Sequence, residues 1–267
     1  MSAVPIPWPV LSRDRFVRLL RNVGQFYEAN SAPDSPYCAL SGSVTLTHES
    51  SGAVTLLTQI DADVPDWSGL LDRYLRALLA GVTDTPPPAP KVYPWLRATL
   101  LLSTGSAIGN NPAVRSDNHA AYHLRGHTDA QAEIIHAALT STEIPNSHAM
   151  VVLNPVGGKV GLAAPGDTAV AQRGAIFKVL YQSLWTDPAE DAAHIAWATR
   201  LFRAVYAGTG NVPLPDDRTD GCYIHYPDTG IPWPRLYYKD NHPRLQQVKA
   251  AWDPRDVFHH PQSIQLP

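Results

Sequence analysis

The sequence has little cysteine, little charge and no long apolar run, and each shortage excludes a class of protein. Among its 267 residues are two cysteines, Cys38 and Cys222, whose separation fits no metal-binding or redox spacing. Charged residues make up 17% and the formal net charge is −3, so no basic surface for nucleic acid or an anionic membrane is indicated. No apolar run approaches the roughly 20 residues that a membrane-spanning helix needs.

Targeting and catalytic motifs are also missing. Residues 1–9 lack the basic region and the apolar core of a secretory signal peptide, so we expect a cytoplasmic protein. The sequence contains no G-x-S-x-G, H-E-x-x-H, C-x-x-C or G-x-G-x-x-G pattern. These absences leave no nucleophile elbow, zinc-protease helix or dinucleotide-binding loop to explain its function.

What the sequence does contain is an alternation of helical and strand periodicities. Ser12, Asp66, Thr128 and Asp187 stand where helix caps are expected, and Thr128 with Gln131 has the pattern of a capping box. The predicted helices cover 12–30, a stretch beginning at 66, 128–140, 187–207 and 243–252. The predicted strands are 37–48, 53–61, 120–124, 149–154, 159–163, 175–185 and 223–226.

Several of these strands are close enough in the chain to pair as hairpins. One predicted hairpin joins 37–48 to 53–61, and another joins 149–154 to 159–163 around Gly157 and Gly158. Strands separated by helices, with hairpins among them, are typical of an α+β fold. We therefore predict an antiparallel sheet with helices covering one face.

The last fifty or so residues carry the most specific signal. They read Gly-Cys-Tyr-Ile-His-Tyr-Pro-Asp over 221–228, Leu-Tyr-Tyr-Lys-Asp-Asn-His-Pro-Arg-Leu over 236–245, and end with Asp-Pro, Val-Phe and His-Pro-Gln-Ser-Ile. This ordered series resembles the C-terminal segment of berberine bridge enzyme-like flavoprotein oxidases. That family has a Y-x-N element facing the flavin and closes with a "YYGDNY-RL--(I/V)K---DP---F---QSI" element.

The resemblance implies an FAD-dependent oxidase of a hydroxylated sugar or secondary metabolite. It implies a substrate-binding domain over 1–220 and a berberine-like segment over 221–267, and it gives no match to the family's flavin-binding half. Tyr223 matches the tyrosine that takes the substrate's hydroxyl proton, while His225, Tyr238 and Asn241 match positions beside the cofactor.

This chain departs from the family pattern at several of these positions. His225 stands where the family has asparagine, and Lys239 replaces the glycine of the "YYGDN" element. Asp117 and His119 replace the two lysines of an R-x-K-x-K-S-A-Y pattern that runs from 115 to Tyr122. The departures leave two hypotheses open. The chain is the substrate half of a split or truncated oxidase, or it is a flavin-free remnant that acts as a small-molecule binding protein or a non-redox cyclase.

The resemblance also predicts the partners of the chain, and the spacing of its histidines bears on metal binding. A small-molecule substrate and a separate flavin-binding half are the expected partners. Self-association is also expected, because a tail without that half would expose apolar side chains at Leu245, Val248, Trp252 and Phe258. The histidines at 119, 123 and 127 would align as metal ligands on a helix, but their surroundings have a strand pattern, and we predict no metal site.

We predict that the isolated chain binds no FAD tightly. A diphosphate needs a loop of backbone N–H donors, and no glycine-rich segment of this sequence offers one. Titration of the purified chain with FAD, followed by flavin fluorescence, measures this directly. Tight stoichiometric binding would show that the phosphate site lies within the segments assigned here to substrate recognition.

Overall fold

The chain folds as a mixture of strands and helices in a computed structural model that describes residues 1–103, 108 and 111–267. The strands are β1 (Ser2–Pro7), β2 (Ser41–Thr47), β3 (Ala53–Gln59), β4 (Arg115–His123), β5 (Ala149–Pro155) and β6 (Phe177–Trp185). The helices are α1 (Arg13–Asn30), α2 (Trp67–Leu79), α3 (Trp95–Ser103), α4 (Asp129–Leu139), α5 (Asp191–Val205) and α6 (His242–Trp252). A π-helical turn spans Pro234–Tyr238.

The six strands form one antiparallel sheet in the order β1-β3-β2-β5-β6-β4. Buried and partly exposed residues alternate along β2, β3 and β5, because successive side chains point to opposite faces. The buried face joins the apolar sides of α1, α2, α4 and α5 in one core, and α5 packs directly on β4 and β6. The predicted α+β fold is confirmed. The second face of the sheet, which we call the open face, carries more polar side chains.

The helix starts predicted at Ser12, Asp66 and Thr128 are confirmed, and two of these three residues also cap the helix with their side chains. The hydroxyl of Ser12 accepts a hydrogen bond from the N–H of Arg15, and Thr128 with Gln131 forms both bonds of a capping box. The side chain of Asp187 caps a short 3-10 turn that leads into α5. Asp66 does not cap α2: its φ is 55° and its carboxylate pairs instead with Arg73 at 2.8 Å.

The predicted hairpin after β5 is wrong. Gly157 and Gly158 have φ values of 111° and 61°, so the chain turns sharply and continues as a 3-10 turn over Gly158–Leu162. Val160 and Leu162 are 43% and 69% exposed, so they do not supply the apolar face of a strand. β5 pairs instead with β2 and β6, which come from other parts of the chain.

Two elements have no counterpart in the sequence prediction. β1 contains Pro5 and Pro7, which normally argue against a strand, but β1 lies at the edge of the sheet and pairs only with β3. α3 begins at Trp95 and leaves much of that residue and of Leu96 exposed, at 79% and 69%. No helix in the described ranges is long and apolar enough to cross a membrane.

We predict that Gly24→Ala lowers the stability of the fold. A Cβ at Gly24 in α1 would lie 2.6 Å from the Cα of Gly126, in the backbone that leads into α4. Alanine is the better helix former, but the backbone collision should outweigh that gain and lower the free energy of unfolding by about 1–3 kcal/mol. Urea denaturation measures the change. Gly166→Ala is the control, because nothing lies within 4 Å of its added Cβ.

Candidate active site

The free edge of β4 is where the C-terminal segment attaches to the sheet. The N–H of Tyr122 donates to the carbonyl of Gly221 at 2.8 Å, and the N–H of Asp220 donates to the carbonyl of Tyr122 at 2.9 Å. Thr219 forms an antiparallel bridge with His123. Residues 218–221 thus act as a short strip of strand that satisfies the C-terminal end of this edge.

The strand predicted over 223–226 is wrong, because the chain turns there. Gly221 has a φ of 86°, and a Cβ on it would collide with the carbonyl oxygen of Leu236. The N–H of Cys222 donates to that same carbonyl at 2.9 Å, which ends pairing with β4. The next residues form a turn in which the N–H of Tyr226 donates to the carbonyl of Tyr223 at 3.2 Å.

This turn places two tyrosines over a lysine on the open face. Tyr122 of β4 and Lys178 of β6 stand directly opposite each other in the sheet register. The ammonium of Lys178 lies 3.9 Å from the ring centroid of Tyr223 and 5.3 Å from that of Tyr226. The ring of Tyr223 also meets the rings of Tyr122 and Tyr226 edge-on, with centroids 6.0 and 5.4 Å away. We call these four residues the tyrosine–lysine cluster.

Burial shifts the pKa values of three side chains in the cluster. Burial, with a further contribution from Tyr223, raises the pKa of Tyr122 to about 12 and also raises the pKa of Tyr226. Both stay protonated at neutral pH. Burial lowers the pKa of Lys178, because its ammonium has lost part of its water. A cation that has lost water interacts more strongly with a nearby aromatic ring, and Tyr223 is the nearer of the two rings.

Of the four predicted site residues, Tyr223 and His225 lie together, whereas Tyr238 and Asn241 contact other parts of the chain. His225 is exposed and its ring lies 4.8 Å from that of Tyr223, so the structure brings these two together by a turn. Tyr238 is 9% exposed and packs against Trp233 and His242. Both N–H groups of the Asn241 amide donate within the chain, to the carbonyls of Pro165 and Thr168. The cofactor-binding roles of His225, Tyr238 and Asn241 stay predictions. Because both amide N–H groups of Asn241 are already used, its side chain would have to contact a cofactor through its carbonyl oxygen.

The sequence prediction did not include Lys178, which the structure places in the tyrosine–lysine cluster. One signal was available, because Lys178 is the single charged side chain in the otherwise uncharged strand from Phe177 to Trp185. A lysine in a strand that is buried on one face must reach water or an aromatic surface with its ammonium. Tyr122 ends the R-x-K-x-K-S-A-Y pattern, but that pattern does not show that Lys178 lies opposite it in the sheet.

The three histidines considered as metal ligands are used separately. His119 hydrogen-bonds to Asp228 and Asp117, at 2.7 and 3.2 Å. His123 and His127 are buried and bond to the tyrosines Tyr206 and Tyr181; burial lowers the pKa of both histidines, that of His123 to about 4. In the part of the chain that the structure describes, no three His, Cys, Asp or Glu side chains could hold a metal ion.

Comparison with known proteins agrees with this geometry. Residues 222–265 match the family described as "Berberine and berberine like". The chain is 37% identical over 270 residues to aclacinomycin-N/aclacinomycin-A oxidase of Streptomyces galilaeus, covering 97% of this chain and 48% of that protein. It is 31% identical to hexose oxidase of Chondrus crispus over 183 residues, which are 60% of this chain and 33% of that one.

A solved structure extends the match to nearly the whole chain. The crystal structure of a glycopeptide hexose oxidase complexed with teicoplanin superposes with a TM-score of 0.87 and 39% identity, over 99% of this chain and 54% of that one. The chain belongs to the berberine bridge enzyme-like family of FAD-linked oxidases. It spans about half the length of the curated relatives it matches.

Lys239 is the family departure with the clearest structural consequence. Its φ of 52° and ψ of −131° lie in backbone territory that favours glycine, the residue of the family's "YYGDN" element. The ammonium of Lys239 reaches Asp220 at 2.5 Å, and the carboxylate of Asp220 is only 8% exposed. The lysine thus offsets its backbone strain by pairing a buried carboxylate at the β4 edge.

We predict that Lys239→Gly lowers the free energy of unfolding by about 2–3 kcal/mol at neutral pH. The substitution relieves strain, but it leaves the buried Asp220 without its cation, and an unpaired buried charge costs more. Burial raises the pKa of Asp220 above its ordinary value despite Lys239, and loss of the lysine raises it further. The deficit should therefore shrink as the pH is lowered and Asp220 protonates.

Urea denaturation over a pH series measures this effect. The control is Lys239→Gly combined with Asp220→Asn, which removes the charge and should recover most of the lost stability. A deficit of the same size in the double variant would contradict the ion-pair explanation.

Proposed function

We propose that the chain is the substrate-binding and C-terminal half of an FAD-dependent oxidase that converts a hydroxyl group of a sugar or a glycosylated secondary metabolite to a carbonyl. Aclacinomycin oxidase, hexose oxidase and the glycopeptide hexose oxidase, named above as similar to this chain, support that substrate class. The observation that carries the proposal is the ammonium of Lys178, 3.9 Å from the ring of Tyr223. In the proposed mechanism deprotonated Tyr223 is the base that alcohol oxidation needs, and the ammonium beside its ring supplies the positive charge next to that base.

The chemistry of the cluster fits the reacting end of a flavin. Tyr223 is half-buried and the neighbouring His225 is exposed, so an aromatic ring system laid against the open face would meet aromatic side chains and a titratable imidazole. Tyr223 and His225 are the residues of this chain that would contact it. FAD, when bound, supplies the acceptor for the hydride that leaves the substrate carbon.

The residues of the cluster have distinct roles in this proposal. Tyr223 removes the proton from the substrate's hydroxyl oxygen, and Lys178 stabilises the phenolate that does so. Tyr122 stays protonated and holds the edge of the Tyr223 ring. His225 is exposed and its ring lies 4.8 Å from that of Tyr223, so in this proposal it passes the proton from Tyr223 to solvent.

Exposed apolar surface supports a separate flavin-binding half as the partner. Trp252 and Phe258 are 85% and 79% exposed, and Val248 is 38% exposed, whereas Leu245 packs against the core. Trp95 and Leu96 of α3 add a second exposed apolar area. Monomeric proteins seldom leave such areas in water, so we propose that the partner covers them and that the isolated chain self-associates.

We predict that Tyr223→Phe lowers turnover by about 10²–10⁴-fold with little change in KM, because it removes the base and keeps the ring. The assay uses the chain combined with a flavin-binding half, a panel of hexoses, oligosaccharides and glycosylated aromatic metabolites, and detection of hydrogen peroxide. Lys178→Met should also lower turnover, because it removes the cation beside Tyr223 and keeps a side chain of similar length.

Tyr226→Phe is the matched control. It makes the same substitution on the ring farther from the ammonium, 5.3 Å away, and should leave turnover within a few-fold of the parent. Full activity in Tyr223→Phe would remove this residue from the mechanism. Absence of peroxide and of anaerobic flavin reduction with the whole panel would contradict the proposed substrate class.

A further inference from the structure

His119 lies at the edge of the sheet between two carboxylates. Its Nδ1 is 2.7 Å from the carboxylate of Asp228, and its Nε2 is 3.2 Å from that of Asp117. The side chain of His119 is 8% exposed, and those of Asp228 and Asp117 are 14% and 23% exposed. Asp117 is two residues away on β4, whereas Asp228 belongs to the segment that carries Tyr223.

The two carboxylates determine the protonation state of the His119 imidazole. Ionised carboxylates only accept hydrogen bonds, so both ring nitrogens of His119 donate only when the ring is a cation. From α5, the hydroxyl of Thr199 lies 3.4 Å from Nε2, Phe202 stacks on the ring with centroids 4.8 Å apart, and the guanidinium of Arg203 acts electrostatically on Asp228. The ring therefore cannot rotate freely. The two carboxylates together carry more charge than the Arg203 guanidinium.

Asp228 forms hydrogen bonds with several parts of the C-terminal segment. Its backbone N–H donates to the hydroxyl of Tyr237 at 3.1 Å, and its second carboxylate oxygen accepts from the N–H of Gly230 at 2.8 Å. Its carbonyl accepts from the amide of Gln262, near the end of the chain. The bond from His119 ties this group of contacts to β4.

The turn that carries Tyr223 and Tyr226 is consequently held at both ends. At its start, Gly221 bonds to the backbone of Tyr122, and at its far end Asp228 bonds to His119. Tyr122 and Lys178 lie on the open face, whereas His119 lies on the helix face, in register with the buried Tyr181. The segment therefore wraps around the β4 edge, with an anchor at each end.

We propose that His119 is a positioning residue that holds Asp228, and through it the 223–228 turn, so that Tyr223 stays over the ammonium of Lys178. His119 touches neither Lys178 nor Tyr223, and it acts from the opposite face of the sheet. The role of the clamp in catalysis depends on the proposed function of Tyr223. The clamp itself is a property of the folded chain and is measured without flavin.

The charge state agrees with this geometry. Burial alone would lower the pKa of His119, but its hydrogen bonds to Asp117 and Asp228 outweigh burial and raise it to about 9. The clamp is thus fully formed below the ordinary histidine pKa of about 6.5 and is lost as the pH rises through the raised value. At neutral pH the imidazolium is in place.

The test follows the contact between Lys178 and Tyr223 in the 267-residue chain by NMR. An ammonium over a ring places the ε-methylene protons of Lys178 in the ring current of Tyr223, which shifts them upfield. In His119→Gln at neutral pH we expect this shift to be lost. Exchange of the Tyr226 amide, which bonds within the turn, should become faster by on the order of 10-fold or more.

Two control variants separate positioning from a general loss of stability. His119→Lys restores a cation of the family pattern and should retain the upfield shift, at neutral pH and through the pH range in which the parent loses it. His48→Gln removes another buried histidine, whose Nε2 bonds to the carbonyl of Ser141 at 2.9 Å, and should leave the Lys178 resonances unchanged.

A pH titration of the unmodified chain gives a further test. With labelled histidine, the titration of the His119 ring and the Lys178 shift are read from one sample, and comparison with folded His119→Lys isolates the contribution of His119. Asp228→Asn should reproduce the effects of His119→Gln. A Lys178 shift that survives in folded His119→Gln or Asp228→Asn, or that is independent of His119 titration, would overturn the clamp.

Failure of the clamp and failure of the proposed function give different results. If Tyr223→Phe retains full oxidase activity while the Lys178 shift depends on His119, the catalytic role of Tyr223 is wrong and the clamp stands. If Tyr223→Phe is inactive while the Lys178 shift is independent of His119, the clamp is wrong and the proposed function stands.

Discussion

The attachment of residues 218–221 to the free edge of β4 is the constraint on which the candidate site depends. An unpaired edge strand exposes a row of backbone donors and acceptors, and this attachment satisfies those at the C-terminal end of β4 with the chain itself. Because Gly221 then lies directly under the carbonyl of Leu236, the following residues must leave the edge. They leave across the open face, where Lys178 lies. The site is thus a consequence of how the sheet ends.

The sequence predicts much of the fold, and the errors have physical causes. The caps at Ser12 and Thr128 are local interactions between residues three apart, so they could be read directly from the sequence. The 223–226 segment has the aromatic and branched residues of a strand, but its path is decided by a contact with Leu236, which composition does not show. β1 was missed because Pro5 and Pro7 are unfavourable in any strand except one at an edge.

The site was predictable to a smaller extent than the fold. Tyr223 was identified through the resemblance of a linear motif, and motifs preserve the order of residues. The contacts of Lys178 and His119 on which the proposals depend are made with partners brought to them by strand register and by the wrapped segment. The replacement of lysine by histidine at 119 was visible in the sequence, but its carboxylate partner Asp228 lies 109 positions away. Such a pairing requires the three-dimensional structure.

The two prolines of β1 have a consequence for how copies of this chain can meet. The N–H of Trp8 points to β3, where it bonds to Gly52, so alternation directs the nitrogens of Pro5 and Pro7 to the outer side of the sheet. These positions have no hydrogen to offer to an incoming strand, and residues 218–221 already occupy the C-terminal end of the opposite edge. Growth of the sheet from one molecule into the next is therefore disfavoured at β1 and at that end of β4. At these positions an association between copies has to use side-chain surfaces instead of backbone pairing.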